Sequence, residues 1–308
     1  AAFVPDPLHC VVNEAAGEAS NRCLFFSICS AASMVRLFLV VAVALVLVGC
    51  STIQIDESDV FLPKPSVTPA SFDVPGVTLT EHSIAVDDTV QVDAWHLAQP
   101  DAEATVLFFG GNGFYLVQSL GYIEALTSFP VNVVMWDYRG YGNSGGTPTV
   151  PAFKADALDV YTYATDTLGA DPGRLIVHGH SLGTFLATHV ASERPTAGVV
   201  LENPATDVDG WVDSVVPWYI RLFVSVEVDP SLRGESNVER ISTVGGPLLV
   251  VGGAEDNVTN PDMARTLHAR ADAATKELVI VEGGGHNELY AADPYTAAYR
   301  RLLDAAVR

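Results

Sequence analysis

Cysteine is scarce in this sequence, and it is absent beyond residue 50. All four cysteines, Cys10, Cys23, Cys29 and Cys50, fall within the first fifty of the 308 residues. Residues 51–308 therefore hold no disulfide of their own and no thiolate metal site, although an exported protein could carry disulfides. The chemistry of this part of the chain must rest on other side chains.

Basic residues are also few. The chain has 16 lysines and arginines against 37 aspartates and glutamates, a formal charge of −21. Nucleic-acid phosphates need basic partners, so this balance argues against a nucleic-acid-binding protein. A hydrophobic content of 49% excludes a disordered chain and allows a sizeable core.

The longest apolar run is too short to span a membrane. Residues 37–48 are twelve consecutive apolar residues, whereas a spanning helix needs about twenty. A positive start, Met34 to Arg36, precedes the run, and Leu47-Val-Gly-Cys50 ends it. This pattern resembles a bacterial lipoprotein signal peptide over 34–49, which implies lipidation of Cys50 and a domain on the exported side of the cell envelope. The membrane would then be a partner through the lipid anchor.

Other interpretations of the leader remain open. A membrane anchor could form if residues 23–35 were added to the apolar run, but Arg36 would then lie mid-span at a cost of a few kcal/mol. Residues 1–33 precede Met34, and we interpret them as an upstream non-native or disordered segment. Residues 50–75 are rich in proline and serine without periodicity, which predicts a flexible tether.

Strand and helix patterns alternate over 76–308. This alternation predicts an α/β fold, a mostly parallel sheet with helices on both faces. An aromatic-rich stretch at about 205–243, with no clean strand, predicts a helical cap insert that covers an apolar pocket or packs only for stability. Strands are predicted at 90–97, 105–109, 131–136, 175–177, 198–201, 247–251 and 277–281, and helices at 119–128, 150–168, 182–190, 261–270 and 294–307.

A strand, a tight turn and a helix surround Ser181. The turn reads Gly179-His-Ser-Leu-Gly183, the G-x-S-x-G pattern of a nucleophile elbow. We expect a strained backbone at Ser181, and a side chain at Gly179 or Gly183 would collide with the neighbouring strand or helix. The alternative is a glycine-rich turn whose serine only caps the helix.

Two further polar residues follow predicted strands, Asp256 and His286. Because ligands bind beyond the carboxyl ends of strands in such sheets, both are expected near Ser181. The order serine, acid, histidine suits an imidazole that takes the serine proton and a carboxylate that orients it. Glu255 and Glu202 stay open as alternative acids.

Backbone amides near Ser181 could stabilise a developing oxyanion. One is expected from Leu182, directly after the nucleophile, and the other from Asn112 in the loop after the strand at 105–109. The alternative for this glycine-rich loop is an ordinary tight turn.

Over roughly 77–307 the sequence resembles the α/β-hydrolase superfamily, and most of all its branch of membrane-associated acyl-protein thioesterases (depalmitoylases) with their bacterial relatives. That branch usually has histidine where Gly110 stands. The resemblance implies hydrolysis of esters, thioesters or occasionally amides, without a cofactor. It rests on Gly111-Asn112, on residues 137–148 and 179–183, on Asp256 and on residues 283–287.

Together these features predict a lipid-anchored serine hydrolase that acts on small or lipid-like esters or thioesters. Ser181 would attack, Asp256 and His286 would activate it, and Leu182 and Asn112 would hold the oxyanion. Two alternatives remain, a serine peptidase or amidase of the same fold and a binding lipoprotein that has lost turnover.

Overall fold

The structure is a computed structural model that describes residues 51–63, 72–216, 219–221 and 224–308. The predicted signal peptide, Cys50 and residues 1–33 lie outside the described residues. The described residues from Thr52 onward, apart from Val224 and Ser225, belong to one compact unit, which holds the central sheet and the candidate site.

The described residues contain a large sheet of eight strands. Two other strands pair with each other in a separate small sheet. One of them precedes the eight strands in sequence, and the other lies between the strands β7 and β9 given below. In chain order the strands are β1 (Ser51–Ile55), β2 (Thr78–Ala85), β3 (Gln91–Ala98), β4 (Ala104–Phe109), β5 (Val131–Trp136), β6 (Leu175–His180), β7 (Gly198–Glu202), β8 (Val224–Val228), β9 (Leu248–Gly253) and β10 (Lys276–Val281).

The eight strands follow the order β10-β9-β7-β6-β4-β5-β3-β2. The run from β10 to β5 is parallel, whereas β3 pairs antiparallel with β5 and with β2. Because the parallel strands all end at the same edge, the residues that follow β4, β6, β9 and β10 come together there.

Helices connect the parallel strands. In chain order they are α1 (Glu57–Val60), α2 (Leu120–Thr127), α3 (Val150–Thr162), α4 (Gly183–Glu193), α5 (Val208–Val215), α6 (Pro230–Arg233), α7 (Asn237–Arg240), α8 (Pro261–Arg270) and α9 (Asp293–Ala306). A π-helical turn, Tyr163–Thr167, extends α3.

The core forms two layers, one on each face of the sheet. Every residue of β4 is buried, as expected of a continuous apolar strand that is covered on both sides. Leu107 and Phe109 face the layer that contains α3, α4 and α8, and Val106 and Phe108 face the layer that contains α2 and α9. This alternation follows the two-residue period of a strand, and the α/β prediction is confirmed.

Some elements were not predicted. The sequence of β2, Thr-Leu-Thr-Glu-His-Ser-Ile-Ala, is largely polar, and this edge strand exposes five of its eight residues. Helix α2 is shorter than the predicted 119–128 by one residue at each end. The region 205–243 contains β8 as well as α5, α6 and α7, which corrects the expectation of an insert without a strand.

The predicted tether over 50–75 also needs correction in its described part. Residues 51–60 form β1 and α1, and Phe61 is buried in the core with 4% exposure. Beyond β8, the amide of Asp229 donates to the carbonyl of Ile55 at 2.8 Å. The composition of the segment suggested a linker, but Ile55, Val60 and Phe61 pack in or against the core.

Candidate active site

Ser181 lies on a sharp turn between β6 and α4. Its φ of +51° is in the left-handed region, which a non-glycine residue rarely occupies and which marks local strain. The amide of Ser181 donates to the carbonyl of Glu202 at 2.9 Å. This hydrogen bond fastens the turn to the end of β7.

The two glycines of the turn leave room for this conformation. A Cβ atom at Gly179 would overlap the carbonyl of Gly183, at the start of α4, and one at Gly183 would overlap the carbonyl of Phe109. Both overlaps involve backbone, which cannot move aside. The collisions expected from the sequence are therefore confirmed.

The structure brings Ser181, His286 and Asp256 together. His286 Nε2 lies 3.0 Å from Ser181 Oγ, and His286 Nδ1 lies 2.7 Å from Asp256 Oδ2. The Asp256 side chain is fully buried, whereas that of His286 is 17% exposed. A chain of two hydrogen bonds thus runs from a buried carboxylate to a hydroxyl that solvent can reach.

Asp256 is held as a carboxylate. Its Oδ1 accepts from the amides of Val258 and Thr259 at 2.7 and 2.9 Å, and its Oδ2 accepts from Thr259 Oγ1 at 2.8 Å. Burial by itself raises the pKa of Asp256, but the hydrogen bonds from His286 and from these two amides outweigh burial, so that its pKa is lowered. Its neighbour Glu255 is exposed.

Glu202, the other alternative acid, forms its side-chain hydrogen bonds with residues other than His286. Its fully buried carboxylate accepts from Tyr122 at 3.1 Å and from Tyr295 at 3.3 Å, and it pairs with His178 Nε2 at 3.2 Å. Burial alone raises the pKa of Glu202, yet the hydrogen bonds from His178 and Tyr122 lower it. Asp256, not Glu202, is therefore the acid that contacts His286.

The loop that carries His286 is held in place by hydrogen bonds to the carbonyl of that residue. The carbonyl of His286 accepts from His180 Nε2 at 2.9 Å and from Asn203 Nδ2 at 2.8 Å. Burial lowers the pKa of His180, which favours the neutral ring with its proton on the donating Nε2. Asn203 also accepts from the amide of Gly253 at 2.8 Å. Sequence reasoning missed Asn203; its only signal is its place at the end of β7, beside Glu202.

The loop after β4 lies against the turn. A Cβ at Gly111 would come within 2.7 Å of His180 Nδ1 and 3.4 Å of Ser181 Cβ, so only glycine allows this approach. The amides of Asn112 and Leu182 donate in none of the turn, loop and cap hydrogen bonds of the described residues. Both residues line the same cavity as Ser181.

Gly110 stands where the resembling family usually has histidine. In this chain a Cβ at Gly110 would overlap the ring of Phe114, which itself packs on Phe108 with the ring centroids 5.4 Å apart. The carbonyl of Gly110 accepts from Tyr138 at 2.6 Å. Phe114 and Tyr138 thus hold this part of the loop without a histidine.

A cavity of about 350 Å³ opens beside Ser181, within the size range of small-molecule sites. Trp211 from the predicted cap is part of its wall, and so is Asp59. Lys154 and Glu235 also line the cavity, and Lys154 Nζ lies 3.1 Å from Glu235 Oε1. The other large apolar residues that line it are Val60, Phe61, Val150, Phe153, Leu182, Phe185, Leu186, Val208, Leu232 and Val258.

In the described ranges, no cluster of three or more histidine, cysteine, aspartate or glutamate side chains is placed to hold a metal ion. No helix of that part of the chain has the length and apolar content to cross a membrane.

Comparison with known proteins shows the family to which the chain belongs. A family model described as "Serine aminopeptidase, S33" matches residues 100–242. The uncharacterised protein Rv2307c of Mycobacterium tuberculosis is 30% identical over 245 residues, which are 79% of this chain and 80% of that protein. Human alpha/beta hydrolase domain-containing protein 17B is 30% identical over 206 residues, 66% of this chain and 67% of that protein. The chain belongs to the α/β-hydrolase superfamily.

A solved α/β-hydrolase structure has the same fold. The Pyrococcus furiosus esterase Pf2001 superimposes with a TM-score of 0.65 and 18% identity, over 80% of this chain and 98% of that one. The family relationship supports a hydrolytic activity for this α/β-hydrolase.

Proposed function

We propose that this α/β-hydrolase is a serine hydrolase that cleaves carboxylic esters or thioesters through an acyl-enzyme on Ser181. The observation that carries the proposal is the continuous hydrogen-bond chain from Asp256 through His286 to Ser181, with spacings of 2.7 and 3.0 Å. These are the distances that a general base and its nucleophile require.

The roles of the three side chains follow from their contacts. His286 Nε2 takes the Ser181 proton while Oγ attacks the carbonyl carbon of the substrate, and Asp256 stabilises the imidazolium that forms. The protonated His286 then gives its proton to the leaving oxygen or sulfur as the tetrahedral intermediate collapses. Water, deprotonated by the same ring, attacks the acyl-enzyme and releases the acid.

The amides of Leu182 and Asn112 are proposed to hold the negative oxygen of the tetrahedral intermediate. Each such donor is typically worth about a hundredfold or more in rate. Their freedom from the other hydrogen bonds of the described loops and caps supports this role. The start of α4 at Gly183 adds a helix N-terminus, which favours negative charge close by.

The lining of the cavity favours an apolar acyl group. Aromatic and aliphatic side chains from α3, α4 and the cap form most of its wall, and burial of each CH₂ group contributes about 0.8 kcal/mol. A small or lipid-like ester or thioester fits this surface better than a charged acid does, since Lys154 is already paired with Glu235.

A peptidase or amidase activity is the second candidate. The matching family model, described as a serine aminopeptidase, favours it, and the same three side chains could cleave an amide. A panel of p-nitrophenyl esters, acyl thioesters and aminoacyl anilides distinguishes the two candidates by kcat/KM. The proposal requires the esters or thioesters to react fastest, and faster turnover of the anilides would replace it with the peptidase.

We also propose that Cys50 carries a lipid that anchors the domain to the membrane on the exported side of a bacterial cell envelope. The support is the sequence pattern of residues 34–50. Metabolic labelling with a fatty-acid analogue in a bacterial host tests it. Label on the full chain that is lost in Cys50→Ser is expected, and equal labelling of both would contradict the anchor.

A fluorophosphonate probe tests the nucleophile. The wild-type protein should react, with the adduct on Ser181, and Ser181→Ala should not. Failure of the folded wild type both to react with the probe and to cleave any member of the panel would contradict a serine hydrolase. That result would instead favour a binding lipoprotein that keeps the fold without turnover.

A further inference from the structure

An N-terminal segment crosses the candidate active site. This segment, residues 56–62, includes α1 and is called the strap below. Asp59, Val60 and Phe61 of the strap line the same cavity as Ser181. The strap precedes the rest of the domain in sequence and was predicted only as part of a tether.

The strap is bonded directly to the loop that holds Asn112. The carbonyl of Val60 accepts from Asn112 Nδ2 at 2.5 Å, and the amide of Leu62 donates to Asn112 Oδ1 at 3.3 Å. The Tyr141 hydroxyl joins them, because it accepts from the Leu62 amide at 2.9 Å and donates to Asn112 Oδ1 at 2.8 Å. All polar atoms of the Asn112 side chain are thus engaged by the strap or by Tyr141.

Phe61 and Glu57 also fasten the strap to the domain. Phe61 is only 4% exposed, and its ring centroid lies 4.5 Å from that of Phe153. Glu57 Oε1 accepts from the amide of Val150, at the start of α3, at 2.9 Å and from Ser231 Oγ at 3.2 Å. The strap therefore bridges α3, the cap and the loop after β4.

We propose that the strap is a positioning element of the active site, which fixes the backbone amide of Asn112 where the oxyanion forms. The inference rests on the serine hydrolase function proposed above. Three of the four residues in Gly110-Gly-Asn-Gly113 are glycine, so the backbone has little intrinsic stiffness. An oxyanion donor acts through preorganisation. A change far from the reacting atoms that misplaces them by about 1 Å can lower the rate on the order of a hundredfold.

Two variants of the full chain remove hydrogen bonds between the strap and the loop. Tyr141→Phe removes the hydroxyl that links Leu62 to Asn112 and keeps the ring. Leu62→Pro removes the amide that donates to both partners; Phe61 before it has φ −95° and ψ 120°, an extended conformation that a following proline tolerates. The matched control is Tyr161→Phe, since the Tyr161 hydroxyl donates to the carbonyl of Pro195 at 2.6 Å and takes no part in the site.

The variants are compared by steady-state kinetics on the best ester of the panel, by thermal unfolding and by hydrogen exchange of residues 110–114. We expect kcat to fall about tenfold or more in Tyr141→Phe and Leu62→Pro, with KM within about twofold of wild type. Exchange in the loop should become faster. Tyr161→Phe should lose a similar amount of stability to Tyr141→Phe but keep its kcat.

Wild-type kcat in Tyr141→Phe, or an equal loss in Tyr161→Phe, would overturn the proposal. If Leu62→Pro does not fold, the kcat of Tyr141→Phe still tests the positioning role of the strap. Failure of the serine hydrolase function is a different result, because it appears in the wild type, which would then neither react with the probe nor turn over any ester.

Discussion

A buried carboxylate beside the candidate site makes a pH-dependent stability prediction. Asp137 follows β5, is 2% exposed and accepts from the amide of Leu116 at 2.8 Å. Burial raises its pKa from 3.8 to about 6, and the hydrogen bonds from backbone amides offset burial only in part. The folded protein therefore holds the Asp137 proton more tightly than the unfolded chain does.

The sign and size of the effect follow from this shift. The contribution of Asp137 to stability is fully present below pH 3.8 and is lost as the pH rises through about 6. A shift of about two pKa units means that ionised Asp137 lowers the free energy of unfolding by about 3 kcal/mol at pH 8, and by about half of that at pH 5.

Asp137→Asn tests this reasoning, because the amide oxygen can still accept from Leu116 while the charge is gone. We expect the variant to gain stability relative to wild type as the pH rises from 5 to 8, by roughly 1 to 2 kcal/mol over that interval. Urea unfolding, followed by tryptophan fluorescence at several pH values, measures it. The exposed Asp88, changed to asparagine, is the control. A difference between Asp137→Asn and wild type that does not change with pH would refute the argument.

Three other substitutions have defined outcomes. Asp256→Asn should lower kcat by roughly three to four orders of magnitude with the fold retained, because the histidine loses its orienting acceptor; steady-state kinetics with circular dichroism checks this, and near-normal kcat would exclude Asp256 as the acid. Gly183→Ala should yield no folded protein, since its Cβ would overlap the carbonyl of Phe109. The control Gly245→Ala should fold, because the space around Gly245 is open. A soluble Gly183→Ala with the Tm of the wild type would contradict the packing. Glu202→Leu should lose about 3 kcal/mol or more of unfolding free energy, because the buried hydrogen-bond partners of the carboxylate lose their acceptor. A loss below about 1 kcal/mol by urea unfolding would show that this hydrogen-bond network contributes little to stability.

Local pattern was sufficient for much of this fold. The apolar run that forms β4 had to be covered on both faces, and the alternation of such runs with helical periods required a parallel sheet. That sheet in turn brought Ser181, Asp256 and His286 to one edge, because each follows a strand of the same direction. The need for glycine at 179 and 183 could also be read from the tightness of the turn.

Contacts between distant segments could not be predicted from the sequence. Asp256 and Glu202 both follow strands, and only the packed structure shows that the first meets His286 while the second accepts from Tyr122 and Tyr295. Edge strand β2 was missed because its exposed residues have no apolar period to detect.

The strap shows the same division most clearly. By itself the sequence determined the periodic elements, since periodicity and turn chemistry act over a few neighbouring residues. Only the tertiary structure decided where residues 56–62 lie, because their bonds join Leu62 to Asn112, fifty residues away in sequence. A composition typical of a linker does not prevent a short segment from packing where a partner surface is already folded.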